Sequence, residues 1–248
     1  MKECAFCMQP AKLSREHVHS DWMNAIIPGT WNRVVFSSDG LHAEHDSLEL
    51  NWTVNVVCET CNNGWMSDLE NNHAKPILSP LIAGEMDIPI TQLDAHSIAI
   101  FAFKTAIIVD LIRKGKVVVP FFSRRIRAAF RRTLDIPTSV NMWMCAYATK
   151  EKRADVLSAY YKTEMPRIGP FELYVCTYAA GSFAFQVVAI KSLGLARLIP
   201  DGKFDRLSVP FWPQIVPDFV WPPQTALRSI EEFTQYHRRW EKVRAYST

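Results

Sequence analysis

The sequence predicts an α+β chain in two parts: a small N-terminal strand–strand–helix module closed by a metal ion, then a mixed domain of helices and antiparallel sheet. Three observations carry that expectation. Two C-x2-C turns, Cys4/Cys7 and Cys58/Cys61, stand far apart in the chain, and β-rich runs lead into the second turn. A helical pattern of Trp65, Met66 and Leu69 leaves that second turn. Beyond residue 92 a long apolar stretch at helical spacing gives way to alternating strand-like runs.

The chain has 248 residues, and its 48% hydrophobic content is enough to bury a sizeable core, which excludes a disordered chain. Met1 to Cys7 leads straight into a cysteine pair with no apolar leader, so a cytoplasmic location is expected. In that reducing setting six cysteines point to metal more than to disulfides. Cys145 and Cys176 lie singly in apolar runs and read as small buried hydrophobes. The formal charge of +3 is unevenly spread: residues 1–75 carry a net of −5 and residues 76–248 a net of +8. A polyanion would therefore be gripped chiefly by the second part.

In chain order, Ser14 to Val18 reads as the end of a short extended segment, and Trp31 to Ser37 as a strand ending at the turn Ser38-Asp39-Gly40. Leu41 to Glu49, polar and holding His42 and His45, reads as a loop, and Asn51 to Val57 as a second strand. Pro76, Pro80, Gly84 and Pro89 suggest a boundary near residues 75–92, separating a module at 1–75 from a domain at 76–248. Asp94 is placed to cap a core helix reaching about Lys114, in which Lys104 and Asp110 interrupt an apolar run too short to favour a membrane span. Ser123 to Leu134 reads as a helix with Arg124, Arg125, Arg127, Arg131 and Arg132 and no acid. Asn141–Ala148, Phe171–Tyr178 and Ser182–Ile190 read as strands, the last two forming a hairpin through Gly181. Pro200 to Pro223 suggests an extended cover over the sheet. Ile230, Phe233, Trp240 and Val243 mark a final helix whose other side shows Arg238, Arg239, Lys242 and Arg244.

Four thiolates in two C-x2-C turns are a common way to hold structural zinc, which here would staple the N-terminus to the end of the second strand. Between the pairs stands Glu16-His17, and Asn62 follows Cys61 directly. Singly, these are an ordinary surface dipeptide and a helix cap. Together, Cys4-x2-Cys7, Ser14-Arg15-Glu16-His17-Val18 and Cys58-x2-Cys61-Asn62-Asn63-Gly64-Trp65-Met66-Ser67-Asp68-Leu69-Glu70 resemble the HNH, or ββα-metal, nucleases in their zinc-stapled subgroup. The likeness covers about residues 4–75.

That resemblance implies a metal-dependent endonuclease acting on DNA, with RNA left open, and giving a 5′-phosphate and a 3′-hydroxyl. His17 would be the general base, with Glu16 and Asn62 ligands of a catalytic magnesium or manganese ion. The orienting asparagine of the family has Asn55 as its nearest counterpart, with Asn51 the other candidate. Two protein oxygens suit a hard cation that keeps several waters. Nucleic acid is expected along Arg124, Arg125, Arg127, Arg131 and Arg132. The competing expectation is a zinc-dependent nucleic-acid-binding or interaction module without catalysis.

Overall fold

The computed structural model describes residues 2–38, 41–47, 49–112, 119–165, 169–192, 196–199, 202–213, 217–240 and 244–247. After a two-residue ladder of Lys2–Glu3 with Pro10–Ala11 come β1 (Leu13–His17), β2 (Trp31–Ser38), β3 (Leu41–Ser47) and β4 (Thr53–Cys58). β1 and β4 pair antiparallel as a ribbon of their own. The register slips by one residue between Ser14/Val57 and Glu16/Val54, which places a bulge on β4 at Asn55–Val56. A bulge of this kind bends and twists a ribbon locally.

From Cys58 the chain turns directly into α1, residues 59–83, in which α-helical turns alternate with wider π-helical ones and Gly64 makes a kink. Pro76 does not end this helix. It stands where the π-helical stretch Leu69–Ala74 passes into the regular segment Lys75–Ala83. The stop comes at Gly84, whose φ of 88° lets Gly84 N–H and Glu85 N–H fold back onto Pro80 O.

β5 (Ile88–Ile90) leads to α2 (Gln92–Leu111), the core helix. Its N-cap is Thr91 rather than Asp94: Asp94 holds the third helical position and returns the bond, accepting from Thr91 N–H. Lys114 falls outside the described residues. Among those residues, α2 is the one helix long and apolar enough to cross a membrane, and most of it is buried within the fold. α3 (Arg124–Thr133) is capped by Ser123 and stops at Leu134 in the left-handed region.

The remaining chain builds most of an eight-stranded sheet with β6 (Val140–Tyr147), β7 (Arg153–Met165), β8 (Gly169–Ala180), β9 (Phe183–Ser192) and β10 (Val209–Trp212). The order is β10-β6-β9-β8-β7-β2-β3, with Ala226–Leu227 beside β6. Pairing along that order is antiparallel except where β2 runs parallel to β7. β8 shows the period-two alternation: Tyr174, Cys176 and Tyr178 join the cluster containing α2, while Val175 and Ala179 face the other layer. That layer is closed by α4 (Ile230–Arg238) and Trp240; Lys242 and Val243 lie outside the described residues. In the Pro/Trp segment, Phe219–Trp221 pairs with β5, and Arg239, just after α4, is buried.

Residue 75 therefore marks no structural break. It lies inside α1; β2 and β3 belong to the large sheet; and one core cluster contains residues from both sides of the expected boundary. Leu41–Ser47 is an edge strand, where a loop was expected.

Candidate metal centre and the strand carrying Glu16 and His17

The turn at Cys4–Cys7 is fastened to β4 by Ala5 N–H donating to Val56 O at 2.8 Å, and it tightens at Met8 in a left-handed conformation. This brings Cys4, Cys7, Cys58 and Cys61 together, with all four Sγ atoms within 4.8 Å of one another and no disulfide. Cys7 Sγ and Cys58 Sγ lie 3.7 Å apart. Sulfurs bonded to one tetrahedral zinc at about 2.3 Å would stand about 3.8 Å apart, so the cluster fits a metal such as zinc.

Within the cluster the thiols differ in how readily they ionise. Burial opposes the Cys4 thiolate, but hydrogen bonds from the backbone of Cys58, Cys7 and Phe6 outweigh it and lower its pKa to about 7. Burial raises Cys7 to about 12, with Cys4 and Cys58 adding to the rise. A cation at the centre reverses this mutual opposition and lets all four ionise.

Asn62 follows Cys61 within the first turns of α1 and reaches back to β1. Its Nδ2 donates to Arg15 O at 2.8 Å and to Ser14 Oγ at 3.1 Å. Those two acceptors fix the nitrogen and leave Oδ1 as the available oxygen. Glu16, one residue on from Arg15, is 4% exposed and turned into the fold, where Lys104 Nζ of α2 lies 3.0 Å from Glu16 Oε1. The same ammonium lies 2.5 Å from Glu70 Oε1 on α1. Burial works against the Lys104 charge, but the two carboxylates prevail and hold its pKa above the usual lysine range. Burial raises the Glu16 carboxyl, and Lys104 opposes that rise.

His17 follows Glu16 on the strand and is half-buried; successive side chains leave a strand on opposite faces. Asn55 is exposed at the bulge of β4, and Asn51 is exposed before that strand begins. The structure thus brings Glu16 and Asn62 to the same stretch of β1. His19, two residues beyond His17, is fully buried between Tyr178 Oη (2.8 Å) and Asn32 Oδ1 (3.1 Å), and burial lowers its pKa to about 3. It is a core histidine.

The arginine helix needs correcting in part. Arg127 is buried, with Nε donating to Ala5 O at 2.9 Å and a second bond to Phe122 O. Arg131 Nε donates to Cys61 Sγ at 3.3 Å, and Arg124 pairs with Glu3 at 2.6 Å. Arg127 and Arg131 dock α3 onto the cysteine cluster, while Arg124 keeps most of its side chain in solvent beside Glu3. Arg125 and Arg132 are exposed.

Lys104 and Glu70 had no role in the sequence reading. Their signal was present: a lysine inside an otherwise apolar helix must find a counter-charge, and Glu70 lies eight positions beyond Asn62 on one helix. Comparison with protein-family models, with curated proteins and with solved structures gives no match.

Proposed function

We propose that the protein is a metal-dependent endonuclease of the HNH, ββα-metal type, hydrolysing phosphodiester bonds in DNA. The single observation that carries this reading is Asn62 bonded to β1 at Arg15, beside Glu16-His17, in a strand–strand–helix unit closed by four cysteines. The chemistry of the donors fits a hard divalent cation: Asn62 Oδ1 is left available by the fixing of Nδ2, and Lys104 engages only Oε1 of Glu16. Magnesium or manganese held there would stabilise charge on the phosphate and on the leaving oxygen. His17 accepts a proton from the attacking water at a ring nitrogen, with the neutral imidazole as the active form. Glu16 and Asn62 would hold the ion, and the family likeness gives Asn55, at the bulge, the orienting role. Arg125 and Arg132 supply attraction for the phosphate backbone.

A second reading is favoured by one specific observation, the burial of Glu16 against Lys104: a zinc-dependent nucleic-acid-binding module without catalysis. A supercoiled-plasmid assay with Mg²⁺ or Mn²⁺ decides between them. The nuclease reading expects nicking or linearisation by the wild type and loss of at least about 100-fold in His17→Ala, the scale of a missing general base, with zinc content unchanged. Absence of cleavage of any DNA or RNA form by the wild type supports the second reading.

A further inference from the structure

We propose that Lys104 is a positioning residue of the candidate site, holding Glu16 in place for the cation. This inference rests on the nuclease reading above. Lys104 is 1% exposed, so it cannot itself meet a phosphodiester. What it does touch is specific. One ammonium joins Glu16 of β1, at 3.0 Å, to Glu70 of α1, at 2.5 Å, and sits 5.4 Å from the Phe101 ring centroid. Three elements that meet around the candidate site are therefore pinned through a single atom.

Glutamate has three side-chain torsions, and a carboxylate that is to bind a cation gains from having them fixed beforehand. A charge-assisted bond to Oε1 does this while leaving the other oxygen of the same group for the metal. Glu70 completes the arrangement: with two carboxylates on one ammonium, the group keeps a net negative charge after Lys104 has been counted, so the site still attracts a divalent ion. Partners that hold a metal-ligating carboxylate typically change metal affinity by about 10- to 100-fold when removed.

The opposite role is also physically clear. If Lys104 simply occupies the cation position, its removal opens the site and strengthens metal binding. Titrating Mn²⁺ into zinc-loaded protein, followed by calorimetry and by the electron paramagnetic resonance signal of free Mn²⁺, separates the two. Lys104→Met is expected to bind Mn²⁺ about 10- to 100-fold more weakly, with zinc content and circular dichroism unchanged. Lys104→Arg should recover most of the loss, which a merely structural role does not require.

If Lys104→Met does not fold, Lys104→Gln removes the charge but keeps an amide that can still donate to a carboxylate. It carries the same expectation. Mn²⁺ binding in the folded variant equal to or tighter than in the wild type overturns the positioning role while leaving the nuclease reading intact. A wild type that neither binds Mn²⁺ nor cleaves removes the nuclease reading and this role with it.

Discussion

Cys58 and Cys176 are both thiols with almost no exposed surface, yet they sit in opposite kinds of surroundings. Cys58 ends a six-residue strand and stands among three other thiols; Cys176 lies mid-strand in β8 between Tyr174 and Tyr178, in a twelve-residue strand paired on both sides. The first region has little sheet of its own. Lys2–Glu3 meets Pro10–Ala11 over two residues only, and the β1–β4 ribbon is short and bulged. The second region gains its stability from area: long registers, with apolar layers on both faces. The first region gathers four potential metal ligands around a short ribbon, and the second rests on long registers and buried area.

The sharpest way to break this comparison is to remove the metal. A structural zinc in a small module contributes on the order of 10 kcal/mol to folding, because the unfolded chain has no preformed site. Chelation, or Cys58→Ser, should therefore strip amide-exchange protection from residues 2–17 and 53–66 while β6 to β9 keep theirs. Equal protection in both regions after verified metal loss would show that the clasp is held by packing.

The converse cut is at Gly181, in the turn between β8 and β9. Its φ is +55°, and a Cβ there would lie 2.2 Å from Ile82 O, a backbone atom at the end of α1. Left-handed strain alone costs roughly 1–3 kcal/mol for a residue with a side chain, and the clash adds to it. Gly181→Ala should lower the unfolding midpoint of the whole chain without changing zinc content. A variant as stable as the wild type would mean that the turn and the helix end move apart freely.

The same contrast explains what could be read from the sequence. The cysteine frame, the strand into Cys58 and the helix after it were legible because ligand spacing and periodicity are local. α2 was legible too, and its interruptions at Lys104 and Asp110 were seen, but the partners were not: Glu16 and Glu70 approach Lys104 from two other elements. β7 is hard to read from the sequence because Asp155, Ser158, Lys162 and Thr163 obscure its pattern. Asp155 is buried there and satisfied by Tyr147 and Arg153. β3 looked like a loop since an edge strand can keep Glu44 and Asp46 in solvent. His17 and His19 stand two residues apart, and the contacts of His19 with Asn32 and with Tyr178, far along the chain, mark it as the core residue.

The finest distinction lies within α3, where neighbouring arginines belong to different regions. Arg131 donates to Cys61 Sγ at 3.3 Å, adding positive charge beside a cluster that is doubly negative once four thiolates hold zinc; Arg132 is exposed. Arg131→Ala should weaken zinc affinity by about tenfold, the low end for a partner of a metal ligand, whereas Arg132→Ala should leave zinc affinity alone and weaken DNA binding with a smaller salt dependence. Competition with a chromophoric chelator reads the first, and filter binding over a range of salt reads the second. If both variants lose DNA binding equally and neither shifts zinc affinity, the contact to Cys61 is incidental and the whole helix faces nucleic acid.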